Sequence, residues 1–472
     1  MNSIPDPSPV SPSHGSVIRI GAVCIAIGAA CIAALILKPA PTQKTAEAIA
    51  TAMPARAQTV DEILASIPTE VGNPQTNKEL VKNLVKIRKM PQDAVAWVNL
   101  GDTLAQVQRD TSDAKIYAHA EAVYLHALEL NPKSAGAMTG MAWVTGGRHT
   151  FDQSIAWAER ALAVDAGNAA ALGILGDASV ELGDYEKALD QYQKMMDLRP
   201  DLSSWSRGAH LLWLTGEKAK ATWLMGRAIK AGAPFAENTA WCRAKLAMMY
   251  FQEGAYGAGA EVLEPALAAG TRNVHVLLAA GHIAAAEMEY AAARKYYETI
   301  LEAGSNHKAL TALGDLAARD GDAESAEKFY AQVEALHAVQ LVGGGHDHMQ
   351  MAKFYADHDR NLPEALRMAE QHKLTRNVTE ADVLAWVYFK NRDYARAAEA
   401  SQRALSHHTP DAGIHFHAGM IAEATGDHAA AQRHLQRALA FSPQFSVHEA
   451  PLAAKALELL SGPKPVATTN TP

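Results

Sequence analysis

Cysteine is scarce, with three in 472 residues, so a disulfide framework is excluded; two of them, Cys24 and Cys31, fall in the most apolar run of the chain. Aromatic residues make up only 6% while hydrophobic residues reach 49%, which points away from a core of large rings and toward helices packed closely through small side chains. There is no surplus of positive charge: 43 Lys and Arg against 51 Asp and Glu give −8, which excludes a general nucleic-acid or anionic-membrane coat. Motifs that carry chemistry are missing too. No Gly-x-Ser-x-Gly elbow, no phosphate loop ending in Lys and Ser or Thr, no Cys-x-x-Cys pair and no His-Glu-x-x-His helix occurs. Cys242, beside Trp241, reads as a packed thiol, and acidic pairs such as Asp320 and Asp322 flank a turn glycine and suit turn formation. The expectation is a chain that is no enzyme, with no catalytic residue and no cofactor.

Long apolar runs are absent except for one. From Ile20 to Leu37 eighteen residues pass without a charge, between Arg19 and Lys38, just enough to span a bilayer. A Pro- and Ser-rich tail, 1–19, precedes it, which suits an uncleaved anchor better than a secretory signal with its short basic leader. Residues 38–60, rich in Ala, Pro, Thr and Gln, read as a linker. The expected topology is single-pass, with the large domain facing the envelope or periplasm and the cytoplasm as the alternative.

The rest of the chain repeats itself. Ala120, Ser154, Ala188 and Ala221 are separated by 34, 34 and 33 residues, and Ala127, Ala161, Met195 and Ala228 keep step with them. Pro132 and Pro200 lie 68 apart; Ala397 and Ala431, and likewise Ala404 and Ala438, lie 34 apart. A period in this range specifies a stack of small supersecondary units, each unable to bury its apolar face alone. Small residues such as Gly176 and Ala188 permit close approach of two helices, with Leu175 and Tyr192 filling the space beside them. Gly183 and Gly321 suit left-handed caps, and Pro200 and Pro443 stop the helices they follow.

These residues resemble the tetratricopeptide repeat (TPR) family. Leu175 with Gly176, Gly183-Asp184-Tyr185, then Ala188, Tyr192, Met195 and Pro200 carry the resemblance in the clearest unit. Trp97 and Gly101 open the first unit; Gly314 and Ala326 mark another, and Gly419, Ala431, Ala438 and Pro443 the last. The resemblance implies an all-α, right-handed solenoid of about ten helix-turn-helix units over 92–445, capped by 61–91 and by a helix in 446–461; a disordered tail is expected at 462–472, and the apolar run at 20–37 is expected to add a single transmembrane helix. The register gains seven residues in the first unit, near Val107 to Asp113, and breaks again at 231–238 and at 341–361.

The same resemblance implies a concave face, lined by first helices, that holds a peptide or helix of a protein partner. Residues on that face such as Val98, Asp102, Gly173, Asp177, Ala244 and Met248 read as apolar and mildly acidic, and the basic pattern with which some family members grip carboxylate tails is missing. Of Trp97, Trp143, Trp205, Trp213, Trp223, Trp241 and Trp386, two or three are expected to be contacts. Histidine is abundant at 20, and His346, Asp347 and His348 after three glycines form the one candidate metal group, provided the segment is extended. His415 and His417, two apart on a helix, diverge too far to chelate one ion together. The leading expectation is a membrane-tethered scaffold or adaptor for a protein complex. The alternatives are an import or export receptor, and a metal-handling accessory protein using the His-rich carboxyl third.

Overall fold

The structure is a computed structural model and describes residues 59–71, 73–111, 113–232, 236–342 and 348–462. The tail 1–19, the apolar segment 20–37 and most of the linker lie outside the described residues, as does nearly all of the carboxyl tail. Among the described residues all regular structure is helical, and no helix is long and apolar enough to cross a membrane.

Two leading helices, α1 (Val60–Ser66) and α2 (Pro74–Lys89), precede ten helical hairpins. The first three pair α3 (Ala94–Thr111) with α4 (Ile116–Leu130), α5 (Ala135–Gly147) with α6 (Phe151–Val164), and α7 (Ala169–Glu181) with α8 (Tyr185–Leu198). Next come α9 (Leu202–Leu214) with α10 (Lys218–Lys230), α11 (Ala236–Gln252) with α12 (Tyr256–Ala268), and α13 (Val274–Ala286) with α14 (Tyr290–Leu301). The last four are α15 (His307–Arg319) with α16 (Ala323–Val342), α17 (His348–Asp357) with α18 (Leu362–Ala369), α19 (Val378–Lys390) with α20 (Tyr394–Leu405), and α21 (Ala412–Ala424) with α22 (His428–Phe441). A closing helix, α23 (Glu449–Ser461), follows.

Side-chain caps start most of these helices. Asp184, Asp393 and Asp427 each accept a hydrogen bond from the backbone N–H three residues on, opening α8, α20 and α22, while Asn168, Asn273, Asn306 and Asn377 do the same for first helices. Asp322, one of the acidic pair around Gly321, accepts from the Ser325 N–H and so starts α16.

One contact ties the two helices of a hairpin together, and it recurs. A Cβ on Gly176 would lie 2.3 Å from the Tyr192 ring, so only glycine lets α8 lay that ring flat on α7. The next residue, Asp177, then accepts the tyrosine hydroxyl at 2.7 Å. Gly101, Asp102 and Tyr124 repeat the device with an O–O distance of 2.9 Å, as do Gly314, Asp315 and Tyr330 at 2.9 Å. Gly281 meets Tyr297 in the same way, but with His282 as the polar partner. Asp to Tyr spans 15 residues in the third and seventh hairpins and 22 in the first, and most of the addition lengthens α3, which runs 18 residues where α7 runs 13. Ala127, Ala188, Ala397, Ala431 and Ala438 are fully buried between the helices, and Ala326 nearly so, while Gly419 abuts Leu435. Pro132, Pro200 and Pro443 follow the ends of α4, α8 and α22.

The stack curls until its later hairpins meet its middle ones. The Val378 N–H donates to the Tyr185 hydroxyl at 3.0 Å, Asn377 Nδ2 to the Val180 carbonyl at 3.2 Å, and Thr409 Oγ1 to the Leu214 carbonyl at 2.6 Å, partners 193, 197 and 195 residues apart. Further along, the Tyr256 hydroxyl bonds Ser442 and accepts from the Gln444 N–H, at 186 and 188 residues. Gly183 sits at this seam with φ +70°, and a Cβ there would lie 2.2 Å from the backbone of Arg376, so both its conformation and its lack of a side chain are required.

The stretch 341–361, an irregular break by its sequence, is largely the helix α17. Its first residue is His348, while His346 and Asp347 lie outside the described residues. Trp97, Trp213 and Trp386 are buried in the core, and Trp223 is 51% exposed.

Candidate functional site

First helices face inward and carry the polar chemistry, but the inner wall is not the apolar, mildly acidic groove its sequence suggested. It bears both signs of charge. Arg207 on α9 clamps Asp177 on α7 with Nε–Oδ1 and Nη2–Oδ2 distances of 2.9 Å. At the inserted end of α3, Gln106 and Arg109 lie close enough to Glu237, at the start of α11, to favour its ionised form against the burial that raises it. The longer helix therefore reaches a hairpin four units further on. Asp177 was among the positions the sequence offered for this face, while Arg207, which neutralises it from the next unit, was not.

A cavity of about 390 Å³ opens where α9 and α11 face α17, α19, α21 and α23. On its far side lies a buried ionic network that sequence reasoning did not find, because its members are spread over four helices. His417 on α21 donates from Nδ1 to Asp382 on α19 at 3.0 Å and from Nε2 to Glu449 on α23 at 3.1 Å. Lys353 on α17 donates to Asp357 at 2.8 Å and lies 4.0 Å from Glu449. The His417 ring also stacks on Trp386, centroids 4.2 Å apart. Burial would push His417 down, but Asp382 and Glu449 overcome it and hold the imidazole at about 10, so it is a cation at neutral pH. Burial would likewise raise Glu449, yet Lys353 and His417 hold it at about 2.

Ligand atoms of Asp357, His417 and Glu449 lie within 4.8 Å of one another, a spacing a metal ion can use. Here the Lys353 ammonium and a His417 protonated on both nitrogens already supply the positive charge, and a protonated imidazole has no lone pair for a metal. The group is an ion-pair network. His415 turns away from it and meets His434, Nδ1 to Nδ1 at 3.0 Å, so the two histidines of α21 do diverge.

A second cavity of about 300 Å³ lies between α5, α7 and the start of α6, with Tyr117, Trp143 and Phe151 on its walls and Asp177 and Glu181 at its polar edge. Cys242 is buried, and burial pushes its thiol up to about 12, leaving little thiolate for nucleophilic work. Among the candidate residues, Trp97 donates its indole N–H to the Pro91 carbonyl at 2.8 Å, and Tyr185 spends its hydroxyl on the seam.

Stacked helical hairpins with a polar inner wall define a repeat solenoid. The tetratricopeptide repeat family model matches residues 141–203, 271–338 and 383–444, and these segments are tetratricopeptide repeats. The formate-dependent nitrite reductase complex subunit NrfG of Escherichia coli O157:H7 is 28% identical over 129 residues, 27% of this chain. The chain spans 61% of the length of that relative. Among solved structures, Pseudomonas aeruginosa PilF is 20% identical, with 52% of this chain and 92% of that one covered at a TM-score of 0.29. A thermophilic TPR protein from Thermus thermophilus is 18% identical, with 42% and 98% covered at a TM-score of 0.35.

Proposed function

We propose that the chain is a membrane-tethered scaffold or adaptor that holds a protein partner within a multiprotein complex. Residues 20–37 would anchor it, with the repeats facing the envelope or periplasm and a peptide or helix of the partner entering between the first helices. The observation that carries the reading is the inner wall of tetratricopeptide repeats with an open cavity of about 390 Å³, where polar side chains from several units converge. Similarity to a named complex subunit supports it, and repeats of this type are typical of non-enzymatic scaffolds. Protease accessibility and reporter fusions on the full-length chain, followed by crosslinked capture, test it. Envelope partners crosslinked to first-helix positions support the scaffold. A cytosolic domain that captures precursors or chaperones would replace it with the import or export receptor.

A further inference from the structure

The 390 Å³ cavity holds one charge of each sign that makes no ion pair. Lys245, on the inner face of α11, has its Nζ 5.2 Å from the centroid of the Trp241 ring and no carboxylate within ion-pair distance among the described residues. Burial and the neighbouring Lys308 push its amine down to about 8, against a smaller opposing pull from Glu181. Asp411, just before α21, accepts from Gln252 Nε2 at 3.1 Å and the Ile414 N–H at 3.2 Å, with the Gly413 N–H beside them. No Lys, Arg or His lies within ion-pair distance of it among the described residues, and burial together with Asp382 raises its carboxyl against the opposing pull of these N–H groups and of the more distant His417 cation. Gln252 is itself fixed, since its Oε1 accepts from the Ala412 N–H at 3.1 Å.

Leaving two opposite charges partly desolvated and unpaired is costly, and a direct ion pair between them would relieve both. No such pair forms. Lys245 and the Gln252 that holds Asp411 lie seven residues, about two turns, apart along α11, so the two charges line one cavity from the same face of that helix without meeting.

We propose that this cavity takes a segment of the protein partner in which an acidic and a basic residue are neighbours, the carboxylate on Lys245 and the ammonium or guanidinium on Asp411. The inference rests on the scaffold reading and names the chemistry of its partner. A lone anion would face Asp411 and Asp382 on the opposite wall, and a nucleic acid would find only one free lysine in the cavity. Trp213 and Met248 offer apolar surface to the stems of the bound side chains, and burial pushes His210 to about 3, leaving a neutral imidazole able to bond a peptide amide.

The test uses the full chain in detergent and fluorescein-labelled synthetic peptides with a central Glu-Lys pair between glycine and serine residues, against Glu-Glu, Lys-Lys and Gln-Gln controls. Fluorescence anisotropy should show the Glu-Lys peptide binding about tenfold or more tighter than any control, and Lys245→Gln or Asp411→Asn each weakening it about tenfold. Asparagine keeps the helix cap at 411 and glutamine removes only charge at 245, and circular dichroism checks that both variants remain folded. Equal binding of all four peptides, no binding of the Glu-Lys peptide up to about 1 mM, or folded variants that bind it as the wild type does would overturn the inference. In parallel, a crosslinked partner that both variants retain undiminished would sink the inference and leave the scaffold standing. No crosslinked partner on the wild-type chain would remove the scaffold reading itself.

Discussion

The interior of a hairpin and the curl that joins distant hairpins are held by different means. Between α7 and α8, contact is made by a glycine, an alanine and a tyrosine ring, all within one repeat and all recurring with its period. At the seam and in the inner cavity, residues that share no period meet, through hydrogen bonds and charges such as Thr409 with Leu214 or His417 with Glu449 and through Val378 packed among Val180, Tyr185, Leu211 and Leu214. The first kind gives each unit its shape, and the second decides how far the stack bends.

The sharpest way to separate the two is to remove the central cation of the network. His417→Leu should leave Asp382 and Glu449 facing each other without their shared cation, costing about 3 to 5 kcal/mol in chemical denaturation. The same variant should change the pH response. His417 is held at about 10 in the fold against 6.5 ordinarily, so its stabilisation is complete below about pH 6.5 and fades as pH rises toward 10. Glu449, held at about 2 against 4.5, stabilises fully above about pH 4.5 and loses this as pH falls toward 2. The network therefore contributes most between these limits. Thermal scans of the wild type should fall off on the alkaline side, with a matching change in Trp386 emission, and His417→Leu should flatten that limb.

Within a hairpin, Gly176→Val forces a side chain into the Tyr192 ring and should cost about 1 to 3 kcal/mol by overpacking, read as a lower melting temperature. Ala188→Phe, at a fully buried position, should behave alike. At the seam, Gly183→Ala places a Cβ-bearing residue at φ +70° and against the Arg376 backbone. It should cost about 1 to 2 kcal/mol and should increase the radius of gyration in X-ray scattering while leaving helical content unchanged. The smallest effect belongs to Tyr192→Phe, which keeps the ring on Gly176 and loses only the bond to Asp177, about 0.5 to 1.5 kcal/mol in denaturant titration. If Tyr192→Phe costs as much as Gly176→Val, ring packing is not what joins the two helices.

The same division explains what could be read from the sequence. Tetratricopeptide units were legible because each leaves its signature at a fixed offset, and the seven additional residues of the first unit were visible as a break in that offset. That the break lengthens α3 until it reaches Glu237 was not legible, since nothing at 107–113 says where a longer helix ends in space. His417 looked like half of a chelating pair that geometry forbids, and it proved to belong with Asp382 and Glu449, 35 and 32 residues away. Periodicity reports neighbours along the stack and is silent about partners brought close by its curvature. Tyr185 illustrates the limit: its place in the Gly-Asp-Tyr turn was plain, while its bond to the Val378 N–H depends on nearly six repeats of accumulated bend.

The seam also sets an order of events during synthesis. Its bonds join residues 186 to 197 positions apart, whereas each hairpin closes within about one repeat, and loop-closure entropy makes the long pairings form last. A ribosome that has released the first seven hairpins has made units that can already stack on one another, but neither Asn377 nor Thr409 yet exists to cover the edge at Gly183 and Leu214. Over that interval the Leu214 carbonyl, the Tyr185 hydroxyl and the apolar surface around Val180 and Leu211 face water, and the final hairpins act as the clasp that covers them.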